Sequence, residues 1–351
     1  MKDWAHTVHV LAMWDALEAS GVDTELLMYP DDGVMLSGDE LRAHYLLAHT
    51  PRVAWVPFDE NRGVRVLRVL TRSLRAARGC SFAYTTRALP ALGALLGGAP
   101  RVFLEFHMPL GTKSGKAALA LARRSKRLQV VCISKRLAEI VTELYSLDLG
   151  DIIVEHSGHS FTVRDDYAPG PAGRRMSAVY VGTFAPGRGL ETVIAVATRH
   201  PDTDFILVGP GEPPEGSVPS NVELRPPVAH ADVPGLLAGA DVLLMPYTRD
   251  TMLPDGNGGT AEYCSPLKMV EYLSAGRAII SSNLPSISEV MIDEANCLLA
   301  APDSVEEWSA AMTRLETDAD LRVRLSHGAA ETGRHHTNLQ RVSRIFGDSA
   351  R

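Results

Sequence analysis

The chain has 351 residues and only four cysteines, Cys80, Cys132, Cys264 and Cys297, far apart and with no C-x-x-C pair. That scarcity excludes a disulfide framework and a structural zinc knot, and it suits a reducing cytoplasm. No apolar run approaches the ~20 residues that a bilayer crossing needs. The longest, residues 88–99, is far shorter. The opening residues, Met1-Lys2-Asp3-Trp4-Ala5-His6, hold no apolar signal core. A cytoplasmic protein is expected. There is no excess of basic charge either: the net charge of -7 argues against nucleic acid as a main partner. An early G-x-G-x-x-G is missing, and Gly209-Pro210-Gly211-Glu212 lacks the third glycine. That excludes the usual dinucleotide-dependent oxidoreductase. No internal sequence repeat is present.

What is present is an ordinary globular balance, 45% hydrophobic and 22% charged, in a chain long enough for two cores. The charge is uneven. Residues 1–166 carry 20 basic and 19 acidic side chains, and the remainder 15 and 23. The basic charge therefore gathers in the N-terminal half.

Short apolar runs alternate with helical patterns. In the second half the runs are 178–184, 205–209, 222–224, 242–247 and 278–282, with helices expected at 190–198, 233–238, 266–275, 287–291 and 305–315. In the first half strands are expected at 25–29, 53–57, 82–85, 102–106, 130–134 and 152–155. This alternation predicts an α/β protein of two Rossmann-like, doubly wound parallel-sheet domains facing each other across a cleft. The Pro- and Gly-rich stretch 165–173 reads as the linker. The expected boundaries are 1–166, 167–333 and a C-terminal helix, 334–351, that returns to the first domain. One strand is missing. The chain opens with a helical pattern through Ala19, ended by Gly21, where such a domain normally begins with a mid-sheet strand. Either translation starts upstream or the domain lacks that strand. The first is favoured, because a lost central strand exposes hydrogen-bonding edges on both neighbours.

The segment richest in chemistry is Ser265-Pro266-Leu267-Lys268-Met269-Val270-Glu271-Tyr272-Leu273-Ser274-Ala275-Gly276. Ser265 is expected as a helix N-cap, Pro266 at the first helical position and Gly276 as the terminator. The amides of Leu267 and Lys268 then face outward with the Lys268 charge, an anion site. Glu271 follows one turn on and suits ribose hydroxyls. The same spacing also fits a capped surface helix with a solvated Lys and Glu.

This segment, followed by Asn283-Leu284-Pro285-Ser286-Ile287-Ser288-Glu289-Val290, resembles the retaining glycosyltransferases of family 4, which have the GT-B fold. Val181-Gly182-Thr183-Phe184-Ala185-Pro186-Gly187-Arg188-Gly189-Leu190-Glu191, Leu207-Val208-Gly209-Pro210-Gly211 and Ala240-Asp241-Val242-Leu243-Leu244-Met245-Pro246-Tyr247 are similar to further family segments in the same order. So are Phe103-Leu104-Glu105-Phe106-His107-Met108-Pro109 and Val131-Cys132-Ile133-Ser134. The resemblance implies a glycosyltransferase acting with retention of configuration on a nucleotide-diphosphate sugar. Arg188 and Lys268 would neutralise the pyrophosphate with the amides of Leu267 and Lys268. Ser265 and Pro266 would shape that turn, Glu271 would hold the ribose, and the backbone at Val228 would border the base. His107 would touch the donor sugar. His6, Thr7 and Glu105 are implied near the acceptor or sugar, Glu105 alternatively orienting His107. Thr183 stands where many relatives have Arg. Tyr263 stands where they have Glu, with Glu262 beside it as a substitute, or else the loop 255–260 holds the sugar. Cys297 stands where glycine is expected after Asn296.

With two fixed cations and a helix terminus on the leaving group, no metal and no cofactor is expected. The acceptor class stays open between carbohydrate, lipid-linked and small molecule. Arg62, Arg65, Arg68, Arg72, Arg75 and Arg78 form a run with no acidic residue among them. On a helix Arg65, Arg68, Arg72 and Arg75 share one face, with Val64, Leu67, Leu74 and Ala77 on another. A second basic group is Lys113, Lys116, Arg123, Arg124, Lys126 and Arg127. Such faces suit peripheral contact with the inner face of a membrane, or simply solvent. Two competing readings remain: a nucleotide-sugar epimerase or hydrolase on the same fold, and a non-catalytic relative kept as a binding or partner subunit.

Overall fold

The structure is a computed structural model, described over residues 5–30, 34–171, 173–213, 216–249 and 259–347. Among these residues the elements run in chain order as α1 (Ala5–Ala19), β1 (Leu26–Met28), α2 (Gly38–Tyr45), β2 (Val53–Trp55), α3 (Arg62–Ala76), β3 (Ala83–Thr85), α4 (Ala88–Gly97), β4 (Val102–Phe106), α5 (Lys113–Ala122), β5 (Leu128–Cys132), α6 (Lys135–Tyr145) and β6 (Ile152–Val154). They continue as β7 (Met176–Val181), α7 (Leu190–Arg199), β8 (Thr203–Val208), β9 (Val222–Arg225), α8 (Val233–Ala238), β10 (Val242–Met245), α9 (Leu267–Ala275), β11 (Ala278–Ser282), β12 (Leu298–Ala300), α10 (Val305–Thr317), α11 (Ala319–Arg334) and α12 (Asn338–Phe346). The chain divides into two compact units, Met1–Ser157 with Asn338–Arg351, and Gly158–Thr337.

In the first unit the parallel strands fall into two separate sheets, β1-β2 and β3-β4-β5-β6. No strand precedes α1 among the described residues. Instead α1 is apolar around most of its circumference and buries two faces. Leu11 and Trp14 pack with Leu41, Leu47 and the flanks of β1 and β2. Met13, Ala16 and Leu17 pack with Phe103, Val131, Val342, Ile345 and Phe346. The helix thus joins the two sheets through side chains where a strand would join them through the backbone. Helix α12 belongs to this unit, and its Phe346 ring stacks on Phe82 at 5.1 Å and meets Phe103 edge-on at 4.8 Å.

Helix α3 corrects the expected face. Val64 and Leu67 are exposed, Leu67 by 60%. The side turned inward carries Val66, Val69, Leu70, Ser73 and Leu74, with Ala77 just beyond the helix. Its partner is α4, whose Gly93 and Gly97 leave no room for a side chain. A Cβ on Gly93 would fall 2.7 Å from Ser73 Cβ, and one on Gly97 2.3 Å from the Leu74 carbonyl. The close approach shifts the buried stripe onto the α4-facing residues.

The second unit is one six-stranded parallel sheet in the order β12-β11-β10-β7-β8-β9. Read by sequence rank within the unit this is 3-2-1-4-5-6 reversed end for end, the doubly wound order with its switch point between β7 and β10. One face packs Trp308, Met312, Leu315 and Leu325 against Tyr180, Phe205 and Leu244. The other packs Met269, Tyr272, Leu273 and Ala329 against Val179, Leu243 and Ile279.

Three sequence expectations are corrected here. The stretch 165–173 lies wholly within the second unit. It is tied down by ion pairs of Asp165 with Arg334 and His327 and of Asp166 with Arg164 and Arg277, and by the Tyr167 hydroxyl near Asp241. The units divide at Ser157/Gly158 and Thr337/Asn338 instead. Residues 287–291 form a run of turns, not a helix; Pro285 and the Ser286 hydroxyl, which donates to the Cys264 carbonyl at 2.7 Å, hold the chain in that shape. Strand β12 and helix α11 are additions to the expected list.

Candidate functional site

Open parallel sheets bind ligands beyond the carboxyl ends of their strands at the switch point. In the second unit that region collects the turn after β7, the turn after β10 and the start of α9. The first turn is drawn close to the second by glycine. Gly189 has φ 69°, and a Cβ there would lie 1.7 Å from the Pro246 carbonyl oxygen. The Thr248 amide donates to the Gly187 carbonyl at 3.1 Å. On the other side the Tyr272 hydroxyl takes the Val181 amide at 2.8 Å, fixing α9 to the end of β7.

Helix α9 begins one residue later than expected. Pro266, not Ser265, holds the N-cap position, and no side chain caps the helix. Proline has no N–H and fixes its φ, so it ends the extended approach and starts the first turn. Ser265 is buried just before it. The first hydrogen bond of the turn runs from the Met269 amide to the Pro266 carbonyl at 3.0 Å. The amides of Leu267 and Lys268 lie ahead of it and have no intrahelical acceptor. Gly276 closes the helix at φ 58°.

Three charged side chains that the sequence singled out come together at this end. The Lys268 ammonium lies 3.7 Å from the centroid of the Tyr180 ring and 5.4 Å from that of Tyr247. The Arg188 guanidinium lies 5.2 Å from the Tyr247 centroid. A Cβ on Gly182 would stand 2.5 Å from the Lys268 nitrogen, so the bare glycine makes space for that charge. Burial pushes Lys268 well below the usual lysine range; the nearby Arg188 charge adds to this and Glu271 opposes it. Burial pushes Glu271 up to about 7, against the pull of Lys268. Two cations and one reluctant carboxylate leave a partly desolvated site with surplus positive charge, which suits a diphosphate.

The remaining donor-side residues are peripheral. Thr183 is exposed, and its carbonyl accepts from the Tyr180 hydroxyl at 2.9 Å. Val228 is exposed in the loop that follows β9, and Glu262 is exposed before α9. Of the loop 255–260, residues 255–258 lie outside the described residues. Two Asp-x-Asp triplets occur, and both serve structure. Asp204 pairs with Arg175 at 2.7 Å at the amino end of β8, and Asp318 caps α11 through the Leu321 amide at 2.8 Å.

The first unit holds a second cluster, built on β4. Glu105 and His107 share one side of the strand, as i and i+2 must. His107 Nε2 is 2.7 Å from Glu105 Oε1, and His9 Nε2 from α1 reaches the same oxygen at 2.8 Å. The two imidazoles meet edge to face, 4.6 Å apart. The other oxygen, Oε2, accepts from the Tyr84 hydroxyl and from Arg341 of α12, both at 2.9 Å. Burial alone would raise the Glu105 pKa; Arg341, His9 and His107 overturn that and hold it well below the usual carboxylate range. Burial also lowers His9 to about 4.

Glu105 has no exposed surface, which leaves it none to offer the expected acceptor contact. Thr7 lies in the first turn of α1 and is partly buried. The side chain of His6 lies outside the described residues. Among the described residues His9, Glu105 and His107 are the one trio whose ligating atoms fall within 4.8 Å of one another. They do not fit a resident metal. Both imidazoles sit at hydrogen-bond distance from a single oxygen, and a guanidinium already neutralises the carboxylate.

Sequence reasoning missed Tyr180, Tyr247, His9, Tyr84 and Arg341. Arg341 left a legible trace: it lies on the stripe Asn338-Arg341-Val342-Ile345-Phe346, all buried, where an arginine is out of place unless paired. The tyrosines left none, since an aromatic in a buried strand reads as core.

Residues 176–318 match the family model described as glycosyl transferases group 1. The teichuronic acid biosynthesis glycosyltransferase TuaH of Bacillus subtilis (strain 168) is 27% identical over 118 residues, covering 32% of this chain and 28% of that protein's length. Among solved structures, Anabaena Alr3699/HepE in complex with UDP superposes with a TM-score of 0.70 at 14% identity, covering 98% of this chain and 95% of that one. A glycosyltransferase from Rickettsia africae superposes with a TM-score of 0.71 at 11% identity, covering 98% and 93%. These superpositions show the fold: two Rossmann-like domains of the GT-B kind.

Proposed function

We infer, from the match of residues 176–318 to the glycosyl transferases group 1 model, that this protein transfers a sugar from a nucleotide-diphosphate sugar to an acceptor. The observation that carries the reading is the convergence of Arg188, Lys268 and Glu271 at the start of α9, beyond the switch point of the sheet. Arg188, Lys268 and the amides of Leu267 and Lys268 hold the diphosphate and stabilise it as the bond to the anomeric carbon breaks. Glu271 accepts hydrogen bonds from the ribose hydroxyls, and the backbone near Val228 borders the base. The helix amides and two cations supply the positive charge, so the reaction runs without a metal. UDP is the nucleotide of choice, since HepE is bound to UDP in its solved complex. His107, partly exposed on the first unit, contacts the donor sugar, and the configuration is retained. Thr183 leaves one cation fewer on the phosphates, so Arg188 and Lys268 carry more of that charge.

Glu105 weighs against an epimerase or hydrolase. Such chemistry needs a carboxyl that gives and takes a proton at the substrate, and Glu105 is sealed in an ion pair. Helix α3 supports peripheral membrane contact from the cytoplasmic side. Phe58, Val64 and Leu67 are exposed among its arginines, with Arg65 5.1 Å from the Phe58 ring, the mixture that settles into an anionic interface.

The test is a thermal-shift panel of UDP, GDP, ADP and TDP without metal, on wild type and Glu271→Ala. A ligand at 100 times its dissociation constant adds ~2.7 kcal/mol. A shift with UDP that disappears in Glu271→Ala is expected. A well-folded protein that shifts with none of the four ends the transferase reading.

A further inference from the structure

The Lys268 ammonium rests on a tyrosine ring where a carboxylate would be expected. Among the described residues Lys268 forms no ion pair; Glu271 acts on it through its field and not by contact. The lysine stem passes Gly182, where a Cβ would stand 2.9 Å from Cε and 2.5 Å from the nitrogen. It ends over Tyr180, 3.7 Å from the ring centroid. Tyr180 is 0% exposed, and its ring is fixed at both ends. The backbone end lies in β7, opposite Leu207 of β8. The hydroxyl end donates to the Thr183 carbonyl at 2.9 Å, in the turn that leads to Arg188. Tyr247, just beyond β10, is buried as well. Its centroid lies 5.4 Å from the Lys268 ammonium and 5.2 Å from the Arg188 guanidinium. Two rings from paired strands, one on each side of the switch point, thus support both cations. The whole arrangement lies within the second unit.

We propose that Tyr180 is a positioning residue: its ring holds the Lys268 ammonium at the start of α9 without neutralising it, so that a diphosphate meets a full charge already in place. The proposal rests on the reading of that helix start as the diphosphate site. A carboxylate in the same place would also hold the ammonium, but it would cancel the charge and occupy an N–H group. The face of an aromatic ring attracts a cation through its quadrupole, more strongly once water is excluded. It carries no net charge to compete with the phosphates. Burial and Arg188 push Lys268 toward its neutral form; the attraction of the ring favours the charged form and opposes that loss. Tyr247 adds a second, more distant ring under the same ammonium. The Tyr180 hydroxyl serves the turn through Thr183, so the ring is the part that acts on Lys268.

Lys268 is one of six lysines, so the full chain labelled with 13C-lysine gives a simple spectrum in which Lys268 is identified by its loss in Lys268→Met. In the wild type its ε-methylene should lie upfield of the other lysines, shifted by the ring current of Tyr180, and Tyr180→Leu should return it to their range. A wild-type Lys268 signal among the others overturns the proposal with no variant at Tyr180. Titration with UDP reads the consequence. Tyr180→Leu should weaken UDP about tenfold in the wild-type background and less than about twofold in Lys268→Met, because its effect passes through the ammonium. Tyr180→Phe, which keeps the ring, should stay within about threefold of wild type. Equal losses from Tyr180→Leu in both backgrounds, or a Tyr180→Phe as weak as Tyr180→Leu, would make Tyr180 a packing or turn residue and overturn the proposal. Should Tyr180→Leu not fold, Tyr180→Met removes the ring with a longer side chain and carries the same comparison. A wild type that binds no UDP while Lys268 lies upfield would end the donor-site reading and leave the hold of the ring on Lys268 standing.

Discussion

Lys268 and Tyr180 form a charge-on-ring pair, with the ammonium 3.7 Å from the ring centroid. The pair places a cation where burial disfavours it and where Arg188 disfavours it further. Such a residue works against the unliganded fold and for the anion. Lys268→Met should therefore keep or raise the melting temperature in buffer while weakening UDP about 100-fold. Calorimetric melting and titration of the same sample check both halves. A lower melting temperature with unchanged affinity would make Lys268 a structural residue.

Glu271 predicts a pH dependence. Its pKa rises from 4.5 to about 7 on folding, so the native state holds a proton that the unfolded state has released between those values. This group therefore reduces stability as pH rises through that window. Binding runs the other way, because only the carboxylate accepts from the ribose. The dissociation constant for UDP should rise about fivefold from pH 7 to pH 6. Glu271→Gln should be weak and flat over the same range.

Gly182 and Gly189 flank one turn and should fail differently. At Gly189 a Cβ meets backbone, the Pro246 carbonyl, in a left-handed conformation. Gly189→Ala should cost about 2–4 kcal/mol of stability in a denaturant titration. At Gly182 the Cβ meets the movable end of Lys268. The φ of +159° at Gly182 adds strain, so Gly182→Ala should lose some stability, less than Gly189→Ala, and bind UDP poorly.

His9 predicts the acid limb. Its pKa falls from 6.5 to about 4 on burial, so the unfolded state takes up the proton first. Stability should decline as pH drops from 6.5 toward 4, by on the order of 3 kcal/mol from this group. His9→Gln should flatten that part of the profile, read by urea unfolding at stepped pH.

For α3, vesicles containing phosphatidylglycerol should sediment the protein and neutral vesicles should not. Arg65→Glu/Arg72→Glu should reduce partitioning more than tenfold, at about 1 kcal/mol per basic residue near the surface. Equal binding to both vesicle types would remove the membrane role.

Much of the second unit was legible because its strands are buried on both faces and read as apolar runs, as 278–282 did without error. The start of α9 was read one residue early, since serine before proline can cap or merely precede. The first unit was harder. Strand β1 has three residues and no fully buried one, and the stripe of α3 is set by the glycines of α4, which only the packing reveals. The phosphate-side cations were visible in sequence because they lie near glycines and a helix start. Arg341 was not connected to Glu105, 236 positions away, because no local pattern ties distant charges together.

The interleaving of α12 with the first unit has a consequence for biosynthesis. Residues up to Ser157 leave the ribosome with Glu105 lacking its guanidinium partner, Arg341, which follows only after the whole of the second unit. At ~5–20 residues per second that interval is roughly 10–40 s. The second unit, contiguous in sequence, completes its contacts first. The first unit is thus the later of the two to mature, and its ionic lock registers that α12 has been made and docked.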